Sequence, residues 1–110
     1  MTPSEFIVVL VTVPNAEEGD RIARLLVAER LAACVNVVGP IRSIYRWEDA
    51  VEEASEYLLV AKTRNANLAA LDARVRVLHS YEVPEVLALP VTGGAAAYLA
   101  WLDAATRRDG

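Results

Sequence analysis

Two stretches of strict alternation constrain this chain more than any other feature. From Ile41 the side chains Ile41, Ser43, Tyr45 and Trp47 point one way and Arg42, Ile44 and Arg46 the other, and alternation resumes from Val51 through Tyr57 to Thr63. A period of two belongs to β-strands. The short link Glu48-Asp49-Ala50 between the stretches makes them a long hairpin. Strands of about a dozen residues, where five or six are usual, must rest on something, and exposed strand edges are normally paired or protected. A neighbouring subunit is the expected cover. With the turn centred on Asp49, Arg46 faces Glu52 and Arg42 faces Glu56 on one side, while Trp47 meets Val51 and Ile41 meets Tyr57 on the other.

The other elements assemble around this hairpin. Phe6 to Val13 is apolar, β-branched and without alternation, the pattern of a central strand covered on both faces. Asn15 and Glu18 form a capping-box pattern. They open a helix of about four turns whose inner stripe is Ile22, Leu25 and Leu26. A strand follows from Leu31 to Val38, with a bulge or bend at Gly39-Pro40. Asn65 or Asn67 caps a second helix, lined by Leu68, Leu71, Val75 and Leu78 and ending near His79. After the loop 80–85 come a short strand, 86–89, and a third helix carrying Tyr98, Leu99, Trp101 and Leu102; Thr106 to Gly110 reads as a frayed tail. The order β-α-β-β-α-β-α predicts one domain, residues 1–110, with the α+β ferredoxin-like sandwich as its economical topology.

Composition narrows the functions. The 110 residues carry 11 basic and 15 acidic side chains, a net charge of −4, so no overall positive field draws the chain to nucleic acid. The apolar run 6–13 is too short to cross a bilayer and no basic region precedes it, so neither a membrane span nor a signal peptide is expected. A cytoplasmic location is the default expectation. At 55% hydrophobic the chain is richer in apolar residues than a typical soluble domain, and an oligomer interface accounts for the surplus.

With one Cys and one His, neither a catalytic triad nor an all-nitrogen-and-sulfur zinc site fits within one chain, and phosphate-loop, dinucleotide and metalloprotease motifs are absent. No enzyme is expected. Cys34 reads either as a small buried hydrophobe or as a soft ligand for copper or another thiophilic ion. His79 reads either as a cap on its helix or as an imidazole ligand beside Tyr81, Glu82 and Glu85. One chain offers too few strong ligands, and a site shared across an oligomer interface would supply more. Tyr45 and Trp47 read as core or interface, and Arg46 with Glu52 as a strand-surface pair.

Several ordered motifs carry a family resemblance over nearly the whole chain. They are Arg30-Leu31-Ala32-Ala33-Cys34-Val35-Asn36, then Ser43-Ile44-Tyr45-Arg46-Trp47 with Glu52 and Glu56, then Lys62-Thr63. Leu78-His79-Ser80-Tyr81-Glu82-Val83-Pro84-Glu85-Val86 and Tyr98-Leu99-Ala100-Trp101-Leu102 complete the set. Together they resemble the CutA divalent-cation tolerance family. The resemblance implies a ferredoxin-like fold in a tight homotrimer, similar in architecture to PII signalling proteins, with long hairpins pairing between subunits. It also implies a cytoplasmic role in tolerance of copper and other divalent cations, with copper binding falling on Cys34 and His79. Tyr45, Arg46, Trp47, Glu52, Lys62, Tyr81, Glu82 and Glu85 are then candidates for an inter-subunit cleft. The alternative is a PII-like signalling or scaffold trimer that binds a small ligand or partner protein there, through Arg46, Lys62, Tyr81 and Glu82. Two positions depart from the family pattern: Asp49 stands where Gly is usual, in a turn that an Asp occupies at some cost, and Ser80 stands where Pro is usual.

Overall fold

The run predicted as a central strand, β1 (Phe6–Val13), sits between two neighbours in the computed structural model, which describes residues 5–108. The remaining elements are α1 (Ala16–Ala28), β2 (Cys34–Trp47), β3 (Ala50–Arg64), α2 (Leu68–Leu78), β4 (Leu87–Pro90) and α3 (Ala96–Ala105), with a 3-10 turn at Asn65–Asn67. The sheet order is β2-β3-β1-β4, with every neighbouring pair antiparallel. This is the split arrangement of the ferredoxin-like sandwich expected from the element order.

Helices α1 and α2 cover one face of the sheet. Ile7, Val9, Val11 and Val13 point into that core with Leu59 and Ala61 of β3, against Ile22 and Leu26 of α1 and Leu71 and Val75 of α2. Fully buried side chains such as Ile22 and Leu26 contribute roughly 1.5–3 kcal/mol each. The opposite face is less covered. By register it carries Val8, Leu10, Leu58, Val60, Lys62 and Cys34, all only half-buried, and Val38, Leu87 and Leu89, which are 45%, 57% and 49% exposed. At one end of this open face α3 packs Leu99 and Leu102 on Phe6 and Ala33. Within one chain β1 is therefore covered fully on one face only.

Four local expectations are corrected. The hairpin turn is two residues long: Glu48 and Asp49 both take positive φ, 48° and 65°, and Trp47 pairs with Ala50. Such a turn, with both central residues at positive φ, follows the right-handed twist of its strands. Arg46 therefore lies opposite Val51, Arg42 opposite Ser55, Tyr45 opposite Glu52 and Ile41 opposite Glu56. Asn15 caps α1 as expected, accepting from Glu18 N at 2.8 Å, but the Glu18 carboxylate turns away to Ser80. Asn67 stands at the start of α2 without a side-chain cap; its amide donates to the carbonyls of Arg30 and Thr106 and to Thr63 Oγ1. Thr106 is fully buried, not frayed. Arg64 holds that region by donating to Thr106 Oγ1 and to both the carbonyl and carboxylate of Asp103. The last two residues of the expected tail, 109 and 110, lie outside the described residues.

The bulge expected at Gly39-Pro40 is present. The register shifts between Val38 and Ile41, and the Gly39-Pro40 peptide is cis. Here Gly39 is required by close approach, since a Cβ on it would stand 2.6 Å from the Tyr57 ring. Because two β2 residues oppose one of β3, the even residues of β2 face the open side before the bulge and the odd residues after it.

Candidate functional site

The side chains that the sequence singled out fall into two groups at opposite ends of the open face. The first gathers where the hairpin leaves the sheet. α2 ends at Leu78, whose carbonyl accepts from Arg21, and the chain turns through His79 toward β4. The His79 side chain is fully buried, and both ring nitrogens are engaged. Nε2 lies 2.7 Å from the Thr12 carbonyl, and Tyr81 N donates to Nδ1 at 3.0 Å. A carbonyl only accepts and a backbone N–H only donates, so this pattern requires a neutral ring with its proton on Nε2. Glu18 Oε2 is 3.4 Å from Nδ1 and already accepts from Ser80 N at 2.9 Å and Ser80 Oγ at 3.0 Å.

The turn at His79 presents Tyr81 to the arm. The two rings lie 4.7 Å apart, and the Tyr81 hydroxyl donates to Glu56 Oε2 at 2.7 Å. Glu56 is only 7% exposed. Burial, then the hydrogen bond and charge of Glu56, push the Tyr81 hydroxyl well above the usual phenol range, with smaller contributions from Tyr45 and Glu18. Burial, followed by the Glu56 charge, also pushes the Glu85 carboxyl up. The result is an acidic pocket of Glu56, Glu85 and Tyr81, with Tyr45 and Glu18 in electrostatic reach. Three predicted residues, Tyr45, Tyr81 and Glu85, meet here with His79. Glu56 and Glu18 were assigned other tasks by the sequence reading, an ion pair with Arg42 and a capping box. The correct hairpin register would have pointed to Glu56, because it shares the open side with Tyr45 and Trp47.

The second group is at the other end. Cys34 opens β2 opposite Lys62, whose Nζ is 3.9 Å from the Cys34 sulfur, and Lys62 lies opposite Val8 of β1. His79 touches Thr12, four residues further along β1 or about 13 Å. Cys34 and His79 thus do not meet within one chain. Among the described residues, no three of the His, Cys, Asp and Glu side chains form a metal-holding group.

The other candidates lie along the arm or loop. Trp47 is 56% exposed and Glu52, opposite Tyr45, is also exposed, both on the open side. Arg46 is on the reverse side, and Glu82 is exposed in the loop. Arg46, Lys62, Tyr81 and Glu82 therefore do not converge in one protomer. An open groove of about 480 Å³ between α1 and β2, lined by Asp20, Arg24, Val27, Val35 and Val37 among others, holds none of the predicted residues.

Fold and site together define a small ferredoxin-like α+β protein with an over-long hairpin arm and an acidic pocket at its base. Residues 7–105 match the family described as CutA1 divalent ion tolerance protein, and the chain belongs to that family. It is 54% identical over 101 residues to the chloroplastic protein CutA of Arabidopsis thaliana, covering 92% of this chain and 56% of that protein. The chain thus spans a little over half the length of this relative. With the divalent-cation tolerance protein CutA of Thermus thermophilus the identity is 52% over 95 residues, 86% of this chain and 92% of the relative. The crystal structure of CutA1 from Oryza sativa superposes with a TM-score of 0.93 at 50% identity, covering 99% of this chain and all of that one.

Proposed function

We propose that this chain serves divalent-cation tolerance as a homotrimer that binds divalent metal, copper foremost, at sites its copies build together. The observation that carries this reading is the position of Cys34. The chain's only thiol is half-buried on the open sheet face, the surface that association of copies would cover. A thiolate is the side chain that selects soft copper. One chain brings a single thiol, so copies sharing that face supply the further soft ligands. His79 enters such a site only by giving up its bonds to Thr12 and Tyr81, and the two ligands first considered do not fit one protomer as a pair. No reaction is part of this proposal.

The test is an anaerobic titration with copper(II), repeated with copper(I), followed by calorimetry while light scattering reports the mass of the assembly. The wild-type chain should saturate at a fixed ratio per assembly. Cys34→Ala should lose that saturable binding and keep its mass, and His79→Ala should retain it. Unchanged binding by Cys34→Ala removes the thiol from the site.

A further inference from the structure

His79 is the chain's only histidine, and its buried ring is met from three sides. β1 offers the Thr12 carbonyl and brings no titratable side chain. The loop offers the Tyr81 N–H, and α1 offers the Glu18 carboxylate, whose side chain is only 10% exposed. Arg21 of α1 donates to the neighbouring Leu78 carbonyl, while Arg74 and Arg76 of α2 are paired with Glu29 and Asp72. Glu56 of β3 lies beyond Tyr81, with Tyr45 of β2 and Glu85 in electrostatic reach of that pair.

Two of these contacts make opposite demands on the same nitrogen. Tyr81 N donates to Nδ1 at 3.0 Å and needs it bare. Glu18 Oε2, 3.4 Å from Nδ1, can only accept and is served by a proton there. The neutral ring satisfies Tyr81. A proton taken up from water at Nδ1 sets two donors against each other, and a buried charge left unpaired is costly. The charged ring is therefore satisfied only by turning to Glu18, and the carbonyls ending α2 favour positive charge in the same place. Against this stands Ser80, where the family pattern has Pro: its N–H and Oγ both donate to the same Glu18 oxygen, and a Pro would supply neither bond.

We propose that His79 is a proton-operated latch on loop 80–85. Neutral, it holds the Tyr81 backbone, and with it the hydroxyl that donates to Glu56 and ties the loop to the arm. Protonated, it exchanges Tyr81 for Glu18, draws that carboxylate from Ser80 and frees Glu56. The two arrangements of one buried ring make the loop a two-state element that acid biases toward release. The copper site proposed above does not use this ring, and the latch does not depend on it.

Nitrogen-15 NMR of the full chain tests the latch, because a single histidine gives one unambiguous pair of ring signals. At the alkaline end the ring should carry its proton on Nε2. On acidification Nδ1 should gain a proton, and the Tyr81 amide should shift with the same midpoint and exchange its hydrogen at least about tenfold faster relative to its intrinsic rate. Glu18→Gln should lower that midpoint by removing the anion that receives the charged ring, and Ser80→Ala should raise it by loosening the hold on Glu18. An Nδ1–H tautomer at alkaline pH, a ring that stays neutral until the chain unfolds, or a Tyr81 amide that does not follow the ring overturns the proposal. So does an unchanged midpoint in folded Glu18→Gln.

Discussion

Tyr81 shows how one hydroxyl organises the arm base. Its proton is held by burial and by Glu56, so at neutral pH it donates to a carboxylate that water hardly reaches. Removing that donor leaves a buried acceptor unsatisfied. Tyr81→Phe should therefore cost about 1–3 kcal/mol, measured by urea unfolding at fixed protein concentration. A loss under about 0.5 kcal/mol would mean that solvent takes the place of the hydroxyl. His79 also belongs at this scale. The sequence offered two roles for it, helix cap or ligand; it stands at the C-cap of α2, its N–H donating to the Val75 carbonyl, and its ring also spans β1 and the loop, bonding Thr12 67 residues away in the chain.

The hairpin shows which parts of an element are legible in a sequence. The alternation of 41–47 and 51–63 follows from which side chains share a face, and both strands were found where it placed them. The register depends on whether the turn takes two or three residues, and alternation says nothing of that. Both Glu48 and Asp49 adopt a left-handed conformation that a side chain disfavours. Asp49→Gly should raise stability by about 0.5–1 kcal/mol, read from the shift of the chemical denaturation midpoint at constant slope. A variant less stable than the wild type would show that the Asp side chain contributes more to the turn than its Cβ costs. The acidic pocket was only partly legible for a related reason. The hydrogen bond between Tyr81 and Glu56 bridges 25 residues and two elements, so no local pattern encodes it. Thr106 was misread in the same way, because its burial depends on Arg64 and Asn67, which approach it from a distant part of the chain.

The whole molecule measures 45 × 26 × 21 Å, with a radius of gyration of 14.5 Å, above the roughly 13 Å of a compact chain near this length. The arm accounts for the elongation, and Ile44, Trp47 and Val51 along it are 62%, 56% and 70% exposed. If copies cover the arm and the open face, folding is linked to assembly by mass action. A tenfold dilution should then lower the thermal midpoint by about 2–5 °C. A midpoint independent of concentration would mean that the protomer is stable alone. The bulge at Gly39-Pro40 adds a rule of parity. It exchanges odd for even along β2, so Tyr45 and Trp47 look toward the open side while Arg46 looks away. A single inserted or deleted residue between the bulge and the turn reverses that exchange and sends both aromatic rings to the other surface. Removing two residues from each strand leaves every side chain of the arm on its own side. The length of the arm is thus free to change only in even steps.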